Sequence, residues 1–374
     1  MYISRIILPF EERKGLMGKV ATFGGCSLYT GAPYFSAISA LRVGADISRI
    51  FCPTSAASPI KSYSPELIVH PYLIESDESD NEEKITRIVN ECIAKLSAWE
   101  TRITSCALGP GMGINIAMQC TALDFILKLK ERQMPLVLDA DGIMLALNWP
   151  EIFSSYKNCI ITPNFVEFKR LQQKFAPEEN VDDSDGFSAL VSIYKKLNGP
   201  TILRKGKIDT IIDEYGIILV DLEERLESLR MKEKEGKCEK MSKLKGNGRR
   251  CGGQGDLLTG TLAAFTFWAL KIGKSIDSDN DITDKKKSSS DQSDSSISLI
   301  PTLSSQLPIE ETIKQRPMLY AAIAACTVVR RAAKKTWTQI GRGMLASDII
   351  SNLAPAIDEI MEEEERFEQE AKKE

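Results

Sequence analysis

A chain of 374 residues with 48 basic and 52 acidic side chains carries a net charge of −4, so it offers no general attraction to nucleic acid or to an anionic membrane, and any phosphate binding must be local. Nine cysteines, an odd number with no CxxC pair, point to reduced thiols and not to a disulfide framework or a zinc site, and the single histidine, His70, all but excludes histidine triads and histidine metal clusters. No apolar run approaches the roughly 20 residues of a membrane span, residues 1–14 mix acids with bases unlike an acid-poor leader, and the length suits one large α/β domain with insertions; a cytoplasmic protein is the expectation.

Residues 19–23 read as a short strand, Gly24-Gly25 as its turn, and Gly31-Ala32-Pro33 as the entry to a small-residue helix through Val43, the first half of a βαβ unit. The glycine turn either lets that helix pack closely on the sheet or lines a ligand. Residues 47–52 form the next strand, and His70, in the apolar stretch 67–71, reads as an ordinary partly buried residue. A third unit ends in residues 105–108 and breaks at Gly109-Pro110-Gly111-Met112-Gly113 before an amphipathic helix toward Lys130. Glycines beyond the carboxyl end of a strand sit where open α/β sheets bind ligands.

Residues 136–142 read as an apolar strand ending in Asp139 and Asp141, which a two-residue period places on one face. One of them could face a hydrated magnesium ion, which takes a few carboxylates plus phosphate oxygens; Asp141 fits equally well as the cap of a helix over 143–147. Residues 159–163 are the next strand, and Asn164 with Glu167 three residues on forms a capping box at a helix start. Residues 201–212 read as two strands about Lys205-Gly206, and 217–221 as a third. A lysine there is either a point charge on phosphate or part of a solvated turn.

Two charged or low-complexity segments, 223–245 and 275–315, read as insertions in a single domain spanning 1–374, the second as disordered, and 358–374 as an acidic, solvated tail. Between the insertions, Gly246-Asn247-Gly248-Arg249-Arg250-Cys251-Gly252-Gly253-Gln254-Gly255-Asp256 runs straight into an apolar helix. Glycines let backbone N–H groups crowd together, and a helix start adds unpaired N–H groups at the positive end of its dipole, so this loop attracts phosphate. Asp256 at that mouth is either a helix cap or a base aimed at the atom that attacks phosphorus.

Residues 249–258 resemble the signature of the ATP-dependent NAD(P)H-hydrate dehydratases, a family within the ribokinase-like superfamily. Residues 24–33, the Gly109–Gly113 loop, the turn at Asn164, the Lys205–Asp209 turn and the 341–350 segment are similar to further family motifs, in the family's order. The resemblance implies a three-layer ribokinase-like sandwich, with a mostly parallel central sheet and helices on both faces. It implies Asp256 as the catalytic residue. It implies substrate contacts from Gly113, Asn164, Phe165, Val166, Glu167, Phe168, Lys169, Arg170 and Asp256, although close relatives often have histidine where this chain has Phe165. For ATP it implies Lys205, Gly206, Lys207, Ile208 and Asp209, together with Asn247, Gly248, Arg249, Arg250, Cys251, Gly252, Gly253, Gln254 and Gly255.

The implied reaction is the ATP-driven dehydration of the S epimer of NADH hydrate or NADPH hydrate, with ATP as co-substrate, Mg2+ as cofactor, and a separate NAD(P)H-hydrate epimerase as functional partner. A homo-oligomer is compatible with the chain. The nearest rival is a vitamin-type small-molecule kinase of the same superfamily, against which the residues 249–254 stand. A hydride-transferring dehydrogenase fits less well, because no GxGxxG follows the first strand. A nucleotide-binding scaffold without turnover is opposed by the intact Asp256.

Overall fold

The computed structural model describes residues 3–7, 15–179, 187–220, 250–280 and 309–371. Its strands are β1 Lys19–Phe23, β2 Ile47–Pro53, β3 Ile68–Leu73, β4 Ser105–Leu108, β5 Leu136–Leu138, β6 Cys159–Ile161, β7 Thr201–Arg204, β8 Asp209–Asp213 and β9 Gly216–Val220. They form one sheet in the order β3-β2-β1-β4-β5-β6-β7-β8-β9, parallel through β7 and antiparallel at β8 and β9.

The strands are short apolar runs because both faces of the sheet are covered. In β5, Val137 enters one core layer while Leu136 and Leu138 enter the other. The Val137 layer is closed by helices Gly31–Arg42, Gln254–Asn280 and Pro317–Ile340, through residues such as Ala37, Leu262 and Ala325. The opposite layer is closed by helices Ile116–Glu131, Asp141–Asn148, Phe165–Phe175 and Phe187–Leu197, through Phe125, Leu145, Phe168 and Leu190. Complete burial of such a side chain stabilises by about 1.5–3 kcal/mol, and the two layers packed on the sheet give the three-layer arrangement that the resemblance implies.

Helix Gln254–Asn280 can lie against helix Gly31–Arg42 because Gly260 has no side chain: a Cβ there would stand 1.7 Å from the Ser36 carbonyl oxygen. Gly260→Ala should therefore push the two helices apart and cost at least about 1–3 kcal/mol, the usual range for overpacking. Thermal unfolding measures this, and an unchanged Tm would mean that the helices are not held together at that point.

Two expectations about the segments outside the core change. The helices Gln254–Asn280 and Ile309–Gln315 extend into both ends of the 275–315 insertion; its remainder, and the whole of 223–245, lie outside the described residues. The acidic tail is not wholly a free solvated run: it continues helix Leu353–Ala371 and buries Ile360 and Glu364, while Glu362 and Glu365 are exposed. Its acids have partners. Arg331 donates two hydrogen bonds of 2.8 Å to Glu363, Lys335 pairs with Glu359, and the amide of Ser4 donates to Glu364 at 2.8 Å. A run of glutamates on one helix is stable when the cations opposite neutralise it.

Candidate active site

The chain lays down β1, β2 and β3 outward in one direction and then returns to place β4 on the other side of β1. The connections leaving β1 and β4 diverge at this reversal, which opens a crevice at the carboxyl ends of the strands. Across it the Gly25 amide donates to the Pro110 carbonyl at 3.0 Å. Gly109, at φ +116°, lets the turn after β4 approach the next unit: a Cβ there would lie 2.0 Å from the Asp139 carbonyl oxygen and 2.3 Å from the Gly142 nitrogen. Only glycine meets both demands.

Beyond β5 the backbone leaves the strand path, with Ala140 at φ +48°. The two-residue alternation expected of Asp139 and Asp141 is broken there, and the two carboxylates have separate tasks. Asp139 is 2% exposed. It accepts from Lys205 Nζ at 2.5 Å, from the Thr162 hydroxyl at 2.9 Å and from the Thr259 hydroxyl at 2.6 Å. Burial alone would raise its pKa, but the Lys205 charge and these hydrogen bonds outweigh burial and hold the carboxyl below its ordinary value. Lys205 is raised in turn, since Asp139 and Glu167 outweigh its own burial. Asp141 is not the cap of the next helix but its first residue, and one of its oxygens accepts from the Gly113 amide at 2.8 Å.

Thr259 ties this pair to the first turn of helix Gln254–Asn280. A Cβ on Gly255 would lie 3.6 Å from Lys205 Nζ and 3.8 Å from Asp139 Oδ2, so the ion pair sits directly beneath the glycine loop. Gly253 takes φ +87°, and Gly252 is exposed with open space around it. Asp256 is the third residue of the helix. It accepts no hydrogen bond among the described residues, so it is not a helix cap. Burial first, and then the negative charges of Asp139, Asp141 and Glu167, push its pKa up to about 8, with Lys205 opposing them in part. A carboxyl in this condition is poised to exchange a proton near neutral pH.

The expected capping box is present. Asn164 accepts from the Val166 and Glu167 amides at 2.9 and 3.0 Å, and the Glu167 carboxylate accepts from the Asn164 amide at 2.8 Å. Glu167 also faces the cluster: its pKa is raised by burial and by Asp139 and Asp141, against Lys205 and the Asn164 amide. Phe165 and Val166 are exposed, and Lys169 Nζ lies 4.7 Å from the Phe165 ring centroid. Phe168 turns inward to the core beneath Arg204, and Arg170 rests 3.9 Å from the Met144 sulfur.

In the Lys205–Asp209 turn, Lys207 and Ile208 are exposed while Asp209 is buried and accepts from the Gly206 amide at 2.9 Å. Arg250 donates to the Gly206 carbonyl. Asn247, Gly248 and Arg249 lie outside the described residues; Cys251 and Gln254 flank the glycines as expected.

Three contributors escaped the sequence reading. Thr162 and Thr259 orient Asp139, and Arg330 fixes the Lys205–Asp209 turn by donating to the carbonyls of Gly206 and Lys207 at 2.7 and 3.0 Å and to Asp209 at 2.7 Å. Arg330 did leave a signal, as a charge inside an alanine- and valine-rich helix that must find a partner.

The described residues hold no ready-made cage of three or more metal-binding side chains. The donor set nevertheless suits magnesium, which uses one or two carboxylates beside phosphate oxygens and water. The charge of Asp139 raises the proton affinity of Asp141, Glu167 and Asp256, and Lys205 is the cation that faces them. That surplus of negative charge would accept a divalent cation. Asp141 and Glu167, each with one oxygen on a backbone amide and one left over, would be the residues to hold it.

Residues 20–225 match a family model described as NAD(P)H-hydrate dehydratase. A relative from Physcomitrium patens is 36% identical over 358 residues, covering 93% of this chain and 91% of its own length. Another from Arabidopsis thaliana is 35% identical over 356 residues, covering 94% and 82%. Both are named ATP-dependent (S)-NAD(P)H-hydrate dehydratase. Among solved structures, a ribokinase-like superfamily protein from Enterococcus faecalis superposes with a TM-score of 0.58 at 17% identity, covering 96% of this chain and 95% of its own, a likeness of fold.

Proposed function

The chain belongs to the NAD(P)H-hydrate dehydratase family, and from that premise we propose that its cleft dehydrates the S epimer of NADH hydrate or NADPH hydrate at the expense of ATP, restoring the reduced cofactor and releasing ADP and phosphate. The protein is an ATP-dependent carbon–oxygen lyase, and a vitamin-type kinase is not favoured. Hydroxide leaves a ring carbon poorly, whereas a phosphate ester leaves well. The ring hydroxyl attacks the terminal phosphorus of ATP and ADP departs. The ring nitrogen's electron pair then expels phosphate, leaving a cationic carbon–nitrogen double bond. Loss of a proton from the neighbouring ring carbon to water restores the ring's carbon–carbon double bond.

One observation carries the assignment of roles: an aspartate with a raised pKa stands in the first turn of the helix behind the glycine loop. Asp256 takes the proton of the attacking hydroxyl. The amides of Gly252, Gly253 and Gly255 hold the charge that builds on the transferring group, and Lys205, kept charged by Asp139, adds a fixed positive potential beneath it. Asn164 and Glu167, with the exposed Phe165 and Val166, form the substrate side with Gly113. Lys205 through Asp209 and the loop from Arg250 to Gly255 form the ATP side. Bound magnesium would supply charge neutralisation of the phosphate oxygens. The reading extends to a cytoplasmic enzyme whose substrate is kept in the S form by an epimerase on a separate chain; the free thiols among the described cysteines support that compartment.

The test is recovery of reduced-nicotinamide absorbance from NADH hydrate, which should require ATP. Because Asp256 must be ionised to act and holds its proton up to about 8, kcat/KM should rise by about tenfold per pH unit below that point and level off above it. A profile flat between pH 6 and the plateau, or recovery without ATP, contradicts the assignment.

A further inference from the structure

Away from the cleft, one buried cation lacks a counter-ion. Arg49, in β2, is 9% exposed, and its Nε and Nη1 are buried without a hydrogen-bond partner. Its guanidinium lies 5.0 Å from the Trp99 ring centroid, and that of Arg102 lies 5.3 Å from the same ring. Among the described residues no carboxylate pairs with either. His70, the partner of Phe51 across β2 and β3, completes the group, with its ring 4.4 Å from Trp99 and its Nε2 buried and unbonded.

Packing alone does not account for this arrangement. A guanidinium over an indole gains a modest cation–π attraction, but a second guanidinium on the same indole repels the first, and withdrawing an unpaired cation from water costs more than one ring returns. The strain registers on Arg49, whose pKa is lowered by burial and then by Arg102. It registers on His70 as well, pulled down to about 4 by burial, Arg49 and Lys61. What the group lacks is negative charge. A planar fork of N–H donors with a second cation beside it matches the oxygens of a tetrahedral anion.

We propose that Arg49, Arg102 and His70 form a second anion site, which takes a phosphate group either free or carried on a nucleotide. Trp99 and Arg102 precede β4, so the site lies at the amino end of that strand, whereas the ATP cleft lies at its carboxyl end. Arg102 is exposed. The proposal does not depend on the reaction assigned to the cleft.

The chain has one histidine, so a single imidazole proton resonance reports on this site alone. The full-length protein is titrated with inorganic phosphate, with sodium chloride at matched ionic strength as the reference. A saturable displacement of the His70 resonance is expected. Arg102→Ala, a change on the surface, should weaken the apparent affinity by about tenfold or more, the usual loss for a charge-assisted hydrogen bond, while dehydratase turnover stays intact; Arg49→Met should abolish the displacement. ADP and ATP in place of phosphate identify the source: saturation at lower concentration with the nucleotides means a nucleotide-borne group, and saturation with phosphate alone means the free anion. A displacement that chloride reproduces, or one that saturates with the same affinity in Arg102→Ala, overturns the proposal.

Discussion

Asp256→Asn is expected to lose about 10²–10⁴-fold in turnover, the usual contribution of a positioned general base, while ATP binding persists because the glycine amides and Lys205 are untouched. The same variant should be more stable than the native protein, which separates a lost proton acceptor from a damaged fold. Asp256 has its pKa raised from 3.8 to about 8. Between those values the folded chain holds a proton that the unfolded chain has released, so folding weakens as pH rises through this window. Asparagine does not titrate. The variant's advantage should therefore be absent below pH 4, grow toward pH 8 and stay constant above it. Turnover assays and melting curves across pH read both effects, and a destabilised, slow variant would assign Asp256 to structure.

Lys205→Met should be the most damaging single change to stability. It leaves Asp139 buried with an unopposed charge, and breaking such a pair by removing one partner costs about 3–5 kcal/mol. The remaining hydroxyls of Thr162 and Thr259 soften this loss without replacing the cation. In the native protein the lowered pKa of Asp139 contributes stability that is present above its ordinary range and lost as pH falls; the raised Lys205 contributes stability that is lost only as pH climbs through its own folded value. The deficit of Lys205→Met should accordingly shrink in acid, as Asp139 takes up a proton. Adding Asp139→Asn should restore most of the stability and none of the activity. Denaturant unfolding of the single and double variants checks this; equal stabilities would show that the pair is not coupled.

Much of this arrangement was legible in the sequence. The glycine loop that runs into an apolar helix, the Asn164 capping box and the strand-to-glycine breaks at Gly24 and Gly109 are local patterns, and local patterns survive folding. What the chain order could not reveal was which distant groups meet. Asp139 and Lys205 are 66 residues apart, and Asp139 and Thr259 are 120 apart. A Lys-Gly turn seen alone resembles a solvated turn, and only the sheet order, which sets β5 through β7 side by side, carries Lys205 under the helix mouth.

The pair of aspartates misled for a physical reason. A two-residue period holds only while the strand continues, and the backbone turns out of β5 at Ala140. The tail misled because a glutamate run reads as solvated until the opposing Arg331 and Lys335 are in view.

The central claim is that the substrate hydroxyl itself attacks the terminal phosphorus of ATP. NADH hydrate carrying heavy oxygen in that hydroxyl tests it most directly, with mass spectrometry of the released phosphate. The account predicts the label in inorganic phosphate, one atom for each cofactor restored. Label recovered in water, with unlabelled phosphate, would contradict it.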